Sequence, residues 1–110
     1  MRDLICTAKE LKEMLGRGEA FTLLDVRTPK EHATARVEGS VLIPMDEVPR
    51  RLGEIEDLAE RGPIVVLCHH GVRSGSVQAY LRQQGIANVR NLAGGIDRYS
   101  LEADPAVPRY

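Results

Sequence analysis

Cys68, His69, His70, Gly71, Val72 and Arg73 form an uninterrupted run, with Ser74 directly after it. A thiol, two imidazoles and a guanidinium so close together are the makings of nucleophilic catalysis, in which sulfur accepts a group and hands it on. The reactive form of cysteine is the thiolate, favoured where cations and backbone N–H groups surround the sulfur. A tight loop of this length can turn several amides inward as a nest, with the positive end of a helix behind them. Arg73 reads either as a solvated charge or as the planar fork that neutralises a bound anion. His70, two residues beyond Cys68, either assists an anionic donor when charged or faces solvent without effect. Ser74 is expected to cap the following helix. Cys68 could also be an inert last core residue of a strand. A metal centre is not expected, because consecutive loop residues do not converge on one ion and the remaining histidine, His32, is distant.

The elements that must position this loop follow from periodicity. Ile64-Val65-Val66-Leu67 has no polar face, as in a central parallel strand buried on both sides, and delivers Cys68 to the strand's carboxyl end. Beyond Ser74, Val77, Tyr80 and Leu81 share one helical face, and Gly85 ends it. Thr7 with Glu10, and Thr28 with Glu31, have the spacing of capping boxes; Pro29 adds a first-turn proline. Between them the apolar run 21–26 is a strand that brings Asp25 and Arg27 into a turn. An acid and a base two residues apart are expected to pair structurally, and they can also brace the loop. Ser40 to Pro44 reads as another short strand, and Asp46 as a helix cap. The stripe Val48, Leu52, Ile55 and Leu58, interrupted by Pro49 and Gly53, predicts two short helices or one broken helix. Residues 88–92 are the last strand, followed by Gly94-Gly95, a short helix over 96–101 and a proline-containing tail. The predicted fold is α/β: one domain over residues 1–110, with a mostly parallel sheet of about five short strands and helices on both faces.

Composition bounds the partners. The 110 residues carry 15 basic and 16 acidic groups, a formal charge of -1, so no broad positive field gathers nucleic acid or anionic lipid. With 43% apolar residues and balanced charge the chain is not disordered, and its 4% aromatic content leaves the core to aliphatic side chains. No stretch reaches the roughly 20 apolar residues of a membrane helix, and the start Met1-Arg2-Asp3 opens no apolar leader, so a cytoplasmic protein is expected. Two cysteines make a poor disulfide framework; Cys6 reads as a small buried hydrophobe.

Nearly the whole chain resembles the rhodanese-like family of single-domain sulfurtransferases. Leu24-Asp25-Val26-Arg27 with Glu31 looks like the family's first motif, Gly39-Ser40 with Ile43-Pro44 its second, and Cys68-His69-His70-Gly71-Val72-Arg73-Ser74 its active-site loop. Asn91-Leu92-Ala93-Gly94-Gly95-Ile96 resembles the closing motif. The ending Asp104-Pro105-Ala106-Val107-Pro108-Arg109-Tyr110 is similar to rhodanese-like domains fused to activating enzymes of sulfur-carrier proteins. Departures occur at His32, Ala35-Arg36 and Tyr99, which read as packing variations, and at His70, where some thiosulfate-using members carry Lys. The resemblance implies a two-step reaction without cofactor. Cys68 takes sulfur from a donor such as thiosulfate, holds it as a persulfide among His69, His70, Gly71, Val72, Arg73 and Ser74, and yields it to cyanide or a thiol. A sulfur-carrier or thioredoxin-like protein is a further expected partner. Two rival readings stay open: a binding or relay module that acts only within a larger complex, and a phosphatase or arsenate reductase. Those enzymes have five residues between Cys and Arg, whereas four separate Cys68 from Arg73, a smaller ring for a tetrahedral anion.

Overall fold

The computed structural model describes residues 4–110; the reading of Met1 to Asp3 as lacking a leader lies outside them. Two of its turns are written in local chemistry. Thr7 and Glu10 exchange side-chain and backbone bonds to start α1 (Ala8–Gly16), and Thr28 and Glu31 do the same for α2 (Pro29–Thr34). Strands β1 (Ile5–Cys6) and β2 (Thr22–Asp25) precede those helices, and β3 (Val41–Leu42) follows. A 3-10 turn (Met45–Glu47) and α3 (Leu52–Glu60) come next, then β4 (Ile64–Leu67), α4 (Val72–Gln83), β5 (Val89–Leu92) and α5 (Gly95–Glu102).

Among the described residues the five strands form one sheet in the order β1–β5–β4–β2–β3, every neighbouring pair parallel. β4 sits in the middle and each of its residues is buried, as its lack of a polar face predicts. Alternation along it divides the core. Val65 and Leu67 pack with Leu11, Met14, Ile96 and Tyr99 from α1 and α5, while Ile64, Val66 and Cys68 pack with Ile55, Val77 and Leu81 from α3 and α4. Helices therefore cover both faces of the sheet, and the carboxyl ends of β2, β4 and β5 open at one edge.

Two local expectations change. Of the stripe over 48–58, Leu52, Ile55 and Leu58 fall in α3 alone, and a 3-10 turn stands ahead of Val48; Asp46 lies inside that turn and caps neither element, Pro44 and Arg51 being the residues at their starts. Ser74 does not cap α4 either. That helix begins at Val72, with Gly71 as N-cap at φ +102°, and Ser74 lies inside its first turn, fully buried. The reason is loop length: the chain must reverse within three residues of Cys68, and only glycine turns there in the left-handed region without strain. Cys68 itself, at the end of β4, is 1% exposed.

Candidate active site

β4 carries Cys68 to the sheet edge, and the loop then wraps back over the sulfur. Gly71 N–H donates to Cys68 Sγ at 3.0 Å, and the hydroxyl of Ser74, one helical turn on, lies 3.2 Å from it. Burial alone would raise the thiol's pKa, but the Ser74 hydroxyl and the N–H groups of Ser74, Gly71 and His70 outweigh it and hold Cys68 below the ordinary thiol value. A thiolate is thus stabilised by neutral dipoles at the start of α4, which no side chain caps.

The neighbouring strand completes this arrangement. Asn91 of β5 accepts from Ser74 Oγ at 2.5 Å through Oδ1 and donates from Nδ2 to the Gly71 carbonyl at 3.0 Å. One amide therefore fixes both residues that face the sulfur. Since a hydroxyl has a single proton, Ser74 serves Asn91 when the sulfur is a thiol and turns to the sulfur when it is a thiolate. Beyond β5 the chain supports the loop from below. Ile96 N–H donates to Cys68 O at 2.9 Å and Asp97 N–H to His69 O at 3.1 Å. A Cβ on Gly95, which has φ +64°, would stand 2.3 Å from the His69 carbonyl oxygen, so only glycine admits this approach.

The charged groups form a chain of their own. Asp25 and Arg27 are fully buried and paired through two side-chain bonds of 2.9 and 2.7 Å, the structural pairing expected of them. His32 is more than a packing variation: its Nδ1 lies 2.8 Å from Asp25 Oδ2. Arg27 also donates to the Ala35 carbonyl at 2.6 Å and to Tyr110 Oη at 2.9 Å. Arg73 spreads its fork over Glu31, at 2.7 and 2.9 Å, instead of standing alone in water. Arg73 holds the Glu31 carboxyl well below the usual carboxylate range, with Tyr110 and Thr28 contributing.

His69 stacks on Tyr110, with ring centroids 4.0 Å apart and 11° between planes, and the His70 ring stands 4.0 Å from His69. Burial and the neighbouring His70 push the His69 imidazole pKa down. His70 is itself largely exposed, with Nδ1 4.0 Å from Asp97 Oδ2, and Val72 is 78% exposed at the loop's outer face. Cys68, Gly71 and Ser74 converge on one point; Arg73, His69 and His70 form the rim; Asp25 and Arg27 lie behind it. Motif reading passed over the parts played by Asn91 and Tyr110. Asn91 stood in a quoted motif without a role, and Tyr110 had no signal beyond its place in the tail. Among the described residues, no cluster of three or more metal-ligating side chains occurs, and both cysteines are free.

Comparison with known proteins agrees with this geometry. The family model of the rhodanese-like domain matches residues 7–102. A sulfurtransferase of Allochromatium vinosum is 35% identical over 100 residues, 91% of each chain. An adenylyltransferase and sulfurtransferase of Zea mays is 32% identical over 94% of this chain, which spans 22% of that protein. The chain likewise spans less than a third of several other matching relatives. A crystal structure of a Staphylococcus saprophyticus protein superposes with a TM-score of 0.79 at 31% identity, over 96% of this chain and 98% of that one. With its central parallel strand, its cysteine loop and these relatives all in accord, the chain belongs to the rhodanese-like domain family.

Proposed function

We propose that the protein is a sulfurtransferase that carries a sulfane sulfur as a persulfide on Cys68. The observation that carries the reading is the buried Cys68 sulfur, ringed by the Gly71 N–H and the Ser74 hydroxyl and held below the ordinary thiol pKa. The Cys68 thiolate attacks the outer sulfur of thiosulfate; the S–S bond breaks and its electron pair leaves with sulfite. The same N–H groups then face the persulfide's terminal sulfur. Cyanide or a thiolate attacks that sulfur, forming thiocyanate or a new persulfide and returning the Cys68 thiolate. No cofactor enters either step. The small sulfurs on both sides of the reaction suit a loop with four residues between Cys68 and Arg73, and phosphoester turnover is expected to be negligible.

A second reading is a relay within a larger assembly, in the cytoplasm, with a sulfur-carrier or thioredoxin-like protein as the partner. It is favoured by the exposed Val72 beside the buried sulfur and by the relatives that combine adenylyltransferase and sulfurtransferase in one longer chain. The mass of the intact protein before and after thiosulfate, followed by cyanide, tests the main reading. The expected result is the gain of one sulfur localised to Cys68 and its loss as thiocyanate. Failure to load Cys68 from thiosulfate or from a small-molecule persulfide overturns it.

A further inference from the structure

The tail beyond α5 returns across the mouth of the Cys68 loop. Val107 is buried, and its carbonyl accepts from Ser100 Oγ at 2.5 Å; Arg109 Nε donates to Asp97 Oδ1 at 2.8 Å. These anchors deliver Tyr110. Its ring covers His69, and its hydroxyl accepts from Arg27 Nη1 at 2.9 Å while donating to Glu31 Oε2 at 2.7 Å. Glu31 in turn grips Arg73 with both oxygens. One side chain therefore joins the buried Asp25–Arg27 pair, the Glu31–Arg73 pair and the first residue after the nucleophile. His69 Nε2 is buried there without a hydrogen-bond partner. Leaving such an atom unpaired costs desolvation energy, and the stacked Tyr110 ring covers one face of the imidazole that carries it.

We propose that Tyr110 is a positioning residue for the Cys68 loop: its ring fixes the His69 wall and its hydroxyl locks the Glu31–Arg73 pair, so the tail sets how a sulfur donor meets the site. The proposal rests on the sulfurtransferase reading for its kinetic part and on geometry alone for the rest. Among the described residues, Tyr110 bonds to Arg27 and Glu31 and stacks on His69, and no hydrogen bond joins it to Cys68 or to the Gly71, Ser74 and His70 groups that donate to the sulfur. Loss of Tyr110 therefore loosens the rim that meets the donor and spares the sulfur chemistry, a change in KM and not in kcat. His69 faces His70 from the loop, Asp97 from α5, Glu31 from α2 and Arg73 from α4. Uncovering its ring to water moves its titration upward, toward the ordinary imidazole value of 6.5.

Tyr110→Ala and Tyr110→Phe in the full chain test this by two measurements. The first is kcat and KM for thiosulfate with cyanide as acceptor; the second is titration of the His69 ring by NMR. The alanine variant is expected to raise KM about tenfold, the ratio that loss of one charge-assisted hydrogen bond carries, with kcat nearly unchanged and His69 titrating higher. The phenylalanine variant keeps the stack but loses the same hydroxyl, so His69 titrates as in the wild type while KM rises by a comparable factor. An unchanged His69 titration in the alanine variant overturns the proposal, as does an equal fall in kcat and kcat/KM. Should the wild type transfer no sulfur, the sulfurtransferase reading fails separately, and the His69 titration still decides whether Tyr110 sets this wall.

Discussion

Cys6 and Cys68 occupy matching places and behave in opposite ways. Each stands at the carboxyl end of a parallel strand, each leads into a helix, and both are buried. Yet burial pushes the Cys6 thiol up to about 11, while Cys68 lies below the ordinary value. The difference is in the helix starts. At α1 the Thr7–Glu10 capping box occupies the end of the helix, and Cys6 Sγ faces the Thr7 carbonyl at 3.6 Å, an acceptor that favours the protonated form. At α4 the N-cap is Gly71, whose missing side chain leaves the first N–H groups to the sulfur. Burial makes a thiol inert or reactive according to whether the dipoles buried with it donate or accept.

The sharpest way to break that contrast is to exchange the sulfurs. Cys68→Ser is expected to lower sulfur transfer by at least about a thousandfold, whereas Cys6→Ser keeps most of the activity, read in a thiosulfate:cyanide assay. The opposite outcome would assign the nucleophile to the wrong strand. Next in size is Gly95→Ala. Its Cβ would collide with the His69 and Cys68 carbonyls, so the loop must shift; a displacement near 1 Å is expected to cost about a hundredfold in kcat/KM.

A smaller change sharpens the comparison at the level of single donors. Ser74→Ala removes one group that favours the Cys68 thiolate, so the pH profile of Cys68 alkylation should move to higher pH, slowing the reaction at neutral pH about tenfold. Cys6 alkylation should not respond. The least effect is expected from Glu31→Gln. The folded-state carboxyl is held below its ordinary value of 4.5, so its contribution to stability is present above that pH and fades as pH falls. The variant's melting midpoint should lie a few degrees below wild type at pH 7 and converge with it in acid. A gap that persists in acid would mean that Glu31 acts through packing and not through its charge.

Much of this was legible from neighbours in the chain. The capping boxes at Thr7 and Thr28, the buried run Ile64 to Leu67 and the cysteine loop each depend on residues within a few positions of one another, and all appear where spacing places them. Asp25 and Arg27 pair as two residues on one turn should. Where local reading went astray, the competing partner lay elsewhere. Ser74 and Asp46 have the chemistry of caps, but Ser74 is drawn inward by Cys68 and Asn91, and Pro44 leaves Asp46 without that role.

Taken alone, the sequence determined that a cysteine ends a doubly buried strand and that a short glycine-bearing loop leads from it into a helix, because periodicity and turn chemistry are local. Tertiary structure decided which groups meet that sulfur. The order β1–β5–β4–β2–β3 sets β5 and β2 on either side of β4, which brings Asn91 beneath α4 and Glu31 against Arg73. Tyr110, 79 residues from Glu31, arrives only because Val107 and Arg109 find partners on α5. Contacts at such separations follow from strand pairing and from the packing of α5 on the sheet, and no spacing along the chain encodes them.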